Sequence, residues 1–181
     1  MKKILIVLAF LILGLTQIKS NNEELITIPK DSIRVRIIAN SNSINDQNEK
    51  NVIKKEIQMY LEELLKDSSS KEETKKIIES NIKGINSRIK NTINKMGTNT
   101  IYKVNYGNNF FPKKEYNGVS YESGFYESLV ITLGEGKGNN WWCVLFPPLC
   151  LIDEDDNSNQ TEYKLYISEI IEKYNLYYLY T

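Results

Sequence analysis

The sequence predicts an α+β fold: a small mixed β-sheet with an N-terminal helical hairpin and a C-terminal amphipathic helix packed on it. Three observations carry that expectation. Ile33, Val35, Ile37 and Ala39 alternate with Arg34 and Arg36, the period of two that marks a strand with one buried face. From Ile53 to Met96 apolar residues recur every three or four positions, the period of helices lying on a core. Past Gly97 the alternation returns, at Tyr102, Val104 and Tyr106, at Leu129, Ile131 and Leu133, and around Trp141 and Trp142. No internal repeat runs through these segments, so they belong to one domain of packed layers.

The elements follow in order. Met1, Lys2 and Lys3 precede a twelve-residue apolar run from Ile4 to Leu15. That run is shorter than the roughly 20 residues a membrane span needs, and it fits a secretory signal or a retained N-terminal anchor over residues 1–20. Asn21 to Lys30 is polar and reads as part of a linker over residues 21–32, ahead of a single domain at 33–181. Asn40 to Asn45 ends the first strand in a turn. Asn45 or Asp46 then caps a helix whose buried face is Ile53, Ile57, Tyr60, Leu61 and Leu64. Asp67 to Ser70 breaks the pattern, and Ser70 with Glu73 forms a capping box for a second helix. This helix buries Ile78, Ile82, Ile85, Ile89, Ile93 and Met96 and stops at Gly97. Gly84 inside it costs about 1 kcal/mol relative to alanine, which predicts a close contact there. The short connection makes the two helices an antiparallel hairpin.

A second strand at Tyr102 to Tyr106 ends at Gly107-Asn108-Asn109, and a less regular section begins at Phe110-Phe111-Pro112. Leu129, Ile131 and Leu133 lead into Gly134-Glu135-Gly136-Lys137-Gly138, read as a tight turn to a partner strand. On that partner Trp142, Val144 and Phe146 occupy one face and Trp141, Cys143 and Leu145 the other. Ile167, Ile170, Ile171 and Tyr174 mark the C-terminal helix.

Composition excludes several functions. The chain has no histidine, so neither a Ser-His-Asp nor a Cys-His arrangement is available, and no His-ligated metal site. Two cysteines alone cannot complete a thiolate zinc site. Carboxylate chemistry or a Ser-Lys pair remains, and no cofactor is expected. The formal charge is zero. Beyond Ser20 acidic groups outnumber basic ones, and no basic patch of nucleic-acid type occurs, so no nucleic-acid partner is expected.

The stretch GEGKGNNWWCVLFPPLC, Gly134 to Cys150, specifies a shape and not merely a core. Its glycines match neither the phosphate loop nor the dinucleotide fingerprint, because the spacing differs and no helix start follows. A turn presenting Lys137 and Trp141 to a partner is the functional reading. Cys143 and Cys150 are an even pair in an exported chain, which favours a disulfide, with Pro147-Pro148 bending the chain. Two buried thiols that never meet are the alternative, since bridging needs Cα atoms within about 7 Å. Adjacent Trp141 and Trp142 face opposite sides of a strand, one in the core and one under the C-terminal helix or in an exposed patch. Asn40-Ser41-Asn42-Ser43 with Asp46 and Gln47 reads either as Asx and Ser turns with a cap or as a recognition loop between strand and helix. Asn40, Asp46 and Gln47 are therefore binding candidates. Arg34 and Arg36 read as a solvated edge or as partners for glutamates. The Tyr-rich end from Tyr174 to Tyr180 suits core, membrane or protein contact alike.

Two blocks, IRVRIIANSNSINDQ at Ile33 to Gln47 and the stretch ending WWCVLFPPLC at Cys150, resemble the stage II sporulation protein R family of endospore-forming bacteria. Phe111-Pro112 and Tyr126-Glu127-Ser128-Leu129 resemble it more loosely. The resemblance implies a signal and not an enzyme. Such proteins are made in the forespore and exported into the space facing the mother cell. There a membrane-embedded aspartic protease requires them to process the precursor of the mother-cell sigma factor. Membrane contact is then expected only through the N-terminal segment. The chain departs from the family pattern at Arg36, where many relatives have histidine, at Asn42, where aspartate is common, and at Lys54-Lys55, where an Arg-Asp pair is frequent. The partner-binding residues expected are Asn40, Asp46, Gln47, Lys137, Trp141, Trp142 and Phe146. The rival expectation is a secreted glycan hydrolase that pairs Glu127 or Glu135 with Asp46, with tryptophan as a sugar platform.

Overall fold

Alternation at the first strand has the consequence the sequence implies on one face only. In the computed structural model, which describes residues 25–149 and 160–178, Ile33, Val35 and Ile37 are fully buried in the main hydrophobic cluster. They lie on β2 (Ile33–Ile38), which follows the two-residue β1 (Ile26–Thr27). Three helices come next, α1 (Ile44–Leu65), α2 (Lys71–Ser80) and α3 (Ile82–Lys95), and then β3 (Tyr102–Phe111), β4 (Lys114–Tyr116), β5 (Val119–Tyr121), β6 (Gly124–Leu133), β7 (Asn140–Phe146) and α4 (Gln160–Tyr178). The fold is α+β, as the periodicities predict.

The main sheet has the order β3-β6-β2-β7 and is mixed. β2 runs parallel to β6, with Val35 opposite Leu129, and antiparallel to β7, with Ile37 opposite Trp141. β3 and β6 form a ten-residue antiparallel ladder. Ile53, Ile57 and Leu61 of α1 and Ile85, Ile89 and Ile93 of α3 close over one face of this sheet. A second sheet, β1-β5-β4, carries a smaller cluster in which Ile28 and Val119 meet Val144 of β7 and Ile167 of α4.

Five local expectations change. Ser43 caps α1, its hydroxyl accepting from the Asp46 amide, because the Asp46 carboxylate is engaged elsewhere. The single long helix is two, broken at Asn81, whose side-chain amide donates to the Ile77 carbonyl and competes with the helical ladder. The helical hairpin is therefore a three-helix unit, with the expected Ser70 cap at the start of α2. The stretch read as linker contributes β1 and the buried Ile28, since the amides of Ile26 and Ile28 find carbonyls at Gly118 and Ser120. β3 runs through Gly107-Asn108-Asn109 to Phe111, because the ladder to β6 continues past them. Finally, Gly134–Gly138 is not a hairpin turn: β2 lies between β6 and β7, so this loop crosses the end of β2.

Gly84 meets its expectation. A Cβ there would collide with the hydroxyl of Tyr60, so glycine lets α3 approach α1. Gly97 ends α3 with φ of 70° and donates to the Asn94 carbonyl.

Residues 1–20, Cys150 and the chain end from Leu179 lie outside the described residues. Among the described residues no helix is long and apolar enough to cross a membrane.

Candidate functional site

The crossing loop brings the two sequence blocks together. As Gly134–Gly138 passes the end of β2 it meets the β2–α1 loop backbone to backbone: the Lys137 amide donates to the Asn40 carbonyl at 3.0 Å and the Gly138 amide to the Ala39 carbonyl at 2.9 Å. Gly138 lies so close to the Ser41 carbonyl that an added Cβ would overlap it. Glycine at this position is a packing requirement. Gly134 and Gly136 take φ of 53° and 64°, which gives the loop its two sharp bends.

Side chains then lace the junction. Asn40 accepts from the Glu135 amide at 2.9 Å through its side-chain oxygen and donates to Asp46 at 3.0 Å through its nitrogen. Asn42 accepts from the Asn139 amide at 2.6 Å. Gln47 donates to the Ser41 carbonyl at 2.8 Å and accepts from Lys50 at 2.7 Å. Buried Lys50 also reaches the Asn139 carbonyl at 3.4 Å. Hydrogen bonds from Ser41 above all, with Asn40 and Ser43, hold the Asp46 carboxyl below the usual carboxylate range. Burial, with Lys54 nearby, lowers the Lys50 ammonium.

Asn40, Asp46 and Gln47 thus converge, and their bonds run across the junction as well as within the local turn. Ser41, Asn42 and Gly138, from the two loops that the sequence singles out, join them, and so do Lys50 and Asn139, which carry no sequence signal of their own because the bonds they make across the junction span 89 and 97 residues. Lys137 projects from the junction, paired to Glu135 at 2.6 Å with both side chains well exposed. Ile44, the first residue of α1 and the neighbour of the cap Ser43, is 88% exposed.

The two tryptophans diverge as expected of neighbours on a strand. Half-buried Trp141 faces the helices with Lys54 5.2 Å from its ring, and half-buried Trp142 faces the second sheet against Phe111 at 5.3 Å. Phe146 leaves the contact surface: it is 2% exposed and stacks edge-on to Tyr174 at 5.0 Å. A bulge between Ile33 and Arg34 turns both Leu145 and Phe146 into the main core. No free cysteine stands among the described residues, and Cys150, the partner expected for Cys143, lies outside them.

Arg34 and Arg36 overturn the reading of a solvated edge. Arg34 is 1% exposed, its Cζ 3.4 Å from the centre of the Tyr126 ring, with Phe111 and Tyr121 also within 6 Å. Both terminal guanidinium nitrogens lack hydrogen-bond partners. Arg36 stacks on the same Phe111 at 5.0 Å. Burial holds both guanidiniums below their usual value.

The carboxylates of the hydrolase reading do not assemble an acid-base pair. Asp46 stays ionised in its hydrogen bonds, Glu135 pairs with Lys137, and Glu127 pairs with Lys75 at 2.9 Å, near the start of β6. The small apolar niche beside Trp141 has one carboxylate, Glu62. A glycosidase needs one carboxyl kept protonated by its surroundings. Among the described residues no group of three or more acidic, cysteine or histidine side chains is placed to hold a metal.

The molecule is a mixed-sheet α+β domain whose two distinctive loops are knit into one polar junction. The comparisons with known proteins show which family it belongs to. The chain belongs to the stage II sporulation protein R family, whose sequence profile matches residues 29–156. It is similar to stage II sporulation protein R of Bacillus subtilis (strain 168), 42% identical over 135 residues, which is 75% of this chain and 60% of that protein. The match therefore spans less than two thirds of the relative's length. No solved structure matches. This is a sporulation protein.

Proposed function

We propose that the chain is an exported sporulation signal that activates a membrane-embedded aspartic protease of the mother cell, so that the precursor of the mother-cell sigma factor is processed. It acts as a non-catalytic ligand, released from the forespore into the space between the two membranes or held there by its N-terminal segment, without cofactor or nucleic acid. A Cys143–Cys150 disulfide braces the end of β7. The observation that supports this reading is the junction itself: the two blocks that carry the family resemblance meet in one rigid, solvent-facing knot. A ligand shifts its partner only by binding the active conformation better than the inactive one, and a preformed surface does so without losing affinity to loop ordering. Lys137 and Glu135 are exposed there, and Ile44 at the head of α1 and half-buried Trp141 on β7 complete the proposed surface, Trp141 as its aromatic anchor.

Co-expression of the full chain with the candidate protease and its precursor, in a host with neither, tests this. Precursor cleavage should depend on the chain and fall about tenfold or more with Lys137→Ala combined with Trp141→Ala. Replacing Glu127 and Glu135 together by glutamine should leave cleavage in place. Cleavage indifferent to the first pair moves the contact surface elsewhere, and cleavage lost with the second pair restores the enzymatic reading.

A further inference from the structure

The outer edge of β3 is poorly guarded, and it stands apart from both the junction and the signalling reading. β3 lies at one end of the main sheet and is paired to β6 along ten residues. On its other side no strand follows among the described residues. An antiparallel edge strand turns the amide and carbonyl of every second residue outward. Folded proteins blunt such edges with charges, proline, bulges or short strands. β3 is long, keeps an unbroken register, and from Tyr102 to Phe111 has no proline and one charged residue, Lys103. Lys103, Asn105, Asn108 and Phe110 are exposed along it.

The strand also leaves apolar side chains uncovered at both ends. Ile101, just before it, is 82% exposed. Phe110, near its other end, is 52% exposed and meets its register partner Phe125, 70% exposed, edge-on at 5.6 Å. By strand alternation these ends present opposite faces. Phe110 shares the helix-side face with Tyr102, Val104 and Tyr106, and Ile101 shares the other with Phe111, which packs on Trp142. A fitting partner offers backbone between the ends and apolar cover on a different face at each.

A second β3, running antiparallel, has that pattern. With Tyr106 on the two-fold axis, each Phe110 lies opposite the other copy's Tyr102, and each Ile101 opposite the other copy's Phe111. Tyr102 already pairs with Leu133, so Phe125, Phe110 and the other copy's Tyr102 and Leu133 make one apolar row across four strands. Lys103 falls opposite Asn109, and the two copies' lysines stand about 20 Å apart, so no like charges oppose. Moving the register by two residues sets Phe110 against Thr100 and Ile101 against Asn109, or else sets Ile101 against Lys113 beyond the strand. We propose that two copies of the chain associate through β3 in this register, joining their main sheets into one of eight strands.

Sedimentation equilibrium of the full chain in density-matched mild detergent should give a particle of twice the protein mass that dissociates on dilution. Deuterium exchange of the β3 amides should slow as the concentration rises. Phe110→Lys, at an exposed position, should raise the dissociation constant about tenfold or more, as loss of an aromatic anchor does, with circular dichroism unchanged. Tyr106→Cys sets two thiols opposite each other with Cβ atoms about 5 Å apart, so mild oxidation should link the copies. Lys103→Cys, about 20 Å from its counterpart, should stay unlinked. Should Tyr106→Cys fail to fold, Phe110→Lys and the exchange rates decide alone. A chain that remains monomeric at its highest soluble concentration would overturn the proposal. So would a dimer indifferent to Phe110→Lys, which places the contact elsewhere, or Lys103→Cys linking as readily as Tyr106→Cys. β3 amides protected equally at every concentration mean that another part of the same chain, or nothing, covers the edge, and overturn it too.

Discussion

The two faces of β2 use the same alternation for opposite chemistry. Toward the helices, Ile33, Val35 and Ile37 enter an aliphatic core built largely of isoleucines. Toward the second sheet, Arg34 and Arg36 enter an aromatic seam with Phe111, Tyr121, Tyr126 and Trp142, and polar atoms there go without partners. One face is stabilised by removing apolar area from water, the other by stacking cations on rings while forgoing hydrogen bonds. A charged residue in an alternating strand is therefore no guarantee of a solvated face, because a second layer can cover it.

Four substitutions bear on that contrast. Ile57→Ala should have the largest effect, a loss of about 3 to 4 kcal/mol in urea unfolding, since Ile57 is fully buried in the helix-side core. Gly138→Ala comes next at about 2 kcal/mol, because the new methyl meets the Ser41 carbonyl and the Ala39 side chain, and neither backbone can retreat without opening the junction. Arg34→Met should fall within about 1 kcal/mol of the parent, on the stable side, because it removes unsatisfied donors and keeps the volume. A cost like that of Ile57→Ala would erase the contrast, making the cation as structural as the isoleucines.

The smallest effect is a pH dependence at the junction. Asp46 titrates below its unfolded value near pH 3.9, so its contribution is complete above that pH and fades as pH falls through the folded value. Asp46→Asn should thus be less stable than the parent at pH 6, and the two urea midpoints should draw together as the pH is lowered toward 3. A gap of constant size would mean that the Asn40 and Ser41 bonds do not depend on the carboxylate charge.

Much of this was legible in the sequence, and most of the failures share a cause. Local signals held: the alternating isoleucines of β2, the Ser70 cap, the Gly97 stop and the tight approach at Gly84 are set by neighbours a few residues away. Two misses were local, the Ser43 cap and the helix break at Asn81, and the rest were settled at long range. The glycine loop reads as a hairpin because two strand patterns flank it, yet β2, about a hundred residues earlier, takes the place between them. Arg34 reads as solvated because nothing local announces that β5 supplies Tyr121 above it. Asn40 and Asp46 read as a turn and a cap, and their bonds to each other and to Glu135 are visible only once the strands are in order.

That strand order also governs how the chain reaches its native state. β2 leaves the ribosome early, but both strands that flank it arrive late: Arg34 pairs with Ser128 on one side and Val144 on the other. The N-terminal half can form helices but no sheet of its own, and the central strand waits unpaired until nearly the whole chain has been made. Such distant pairings slow folding. The layer of helices over residues 44–95 is thus complete in sequence before the sheet that it covers can close.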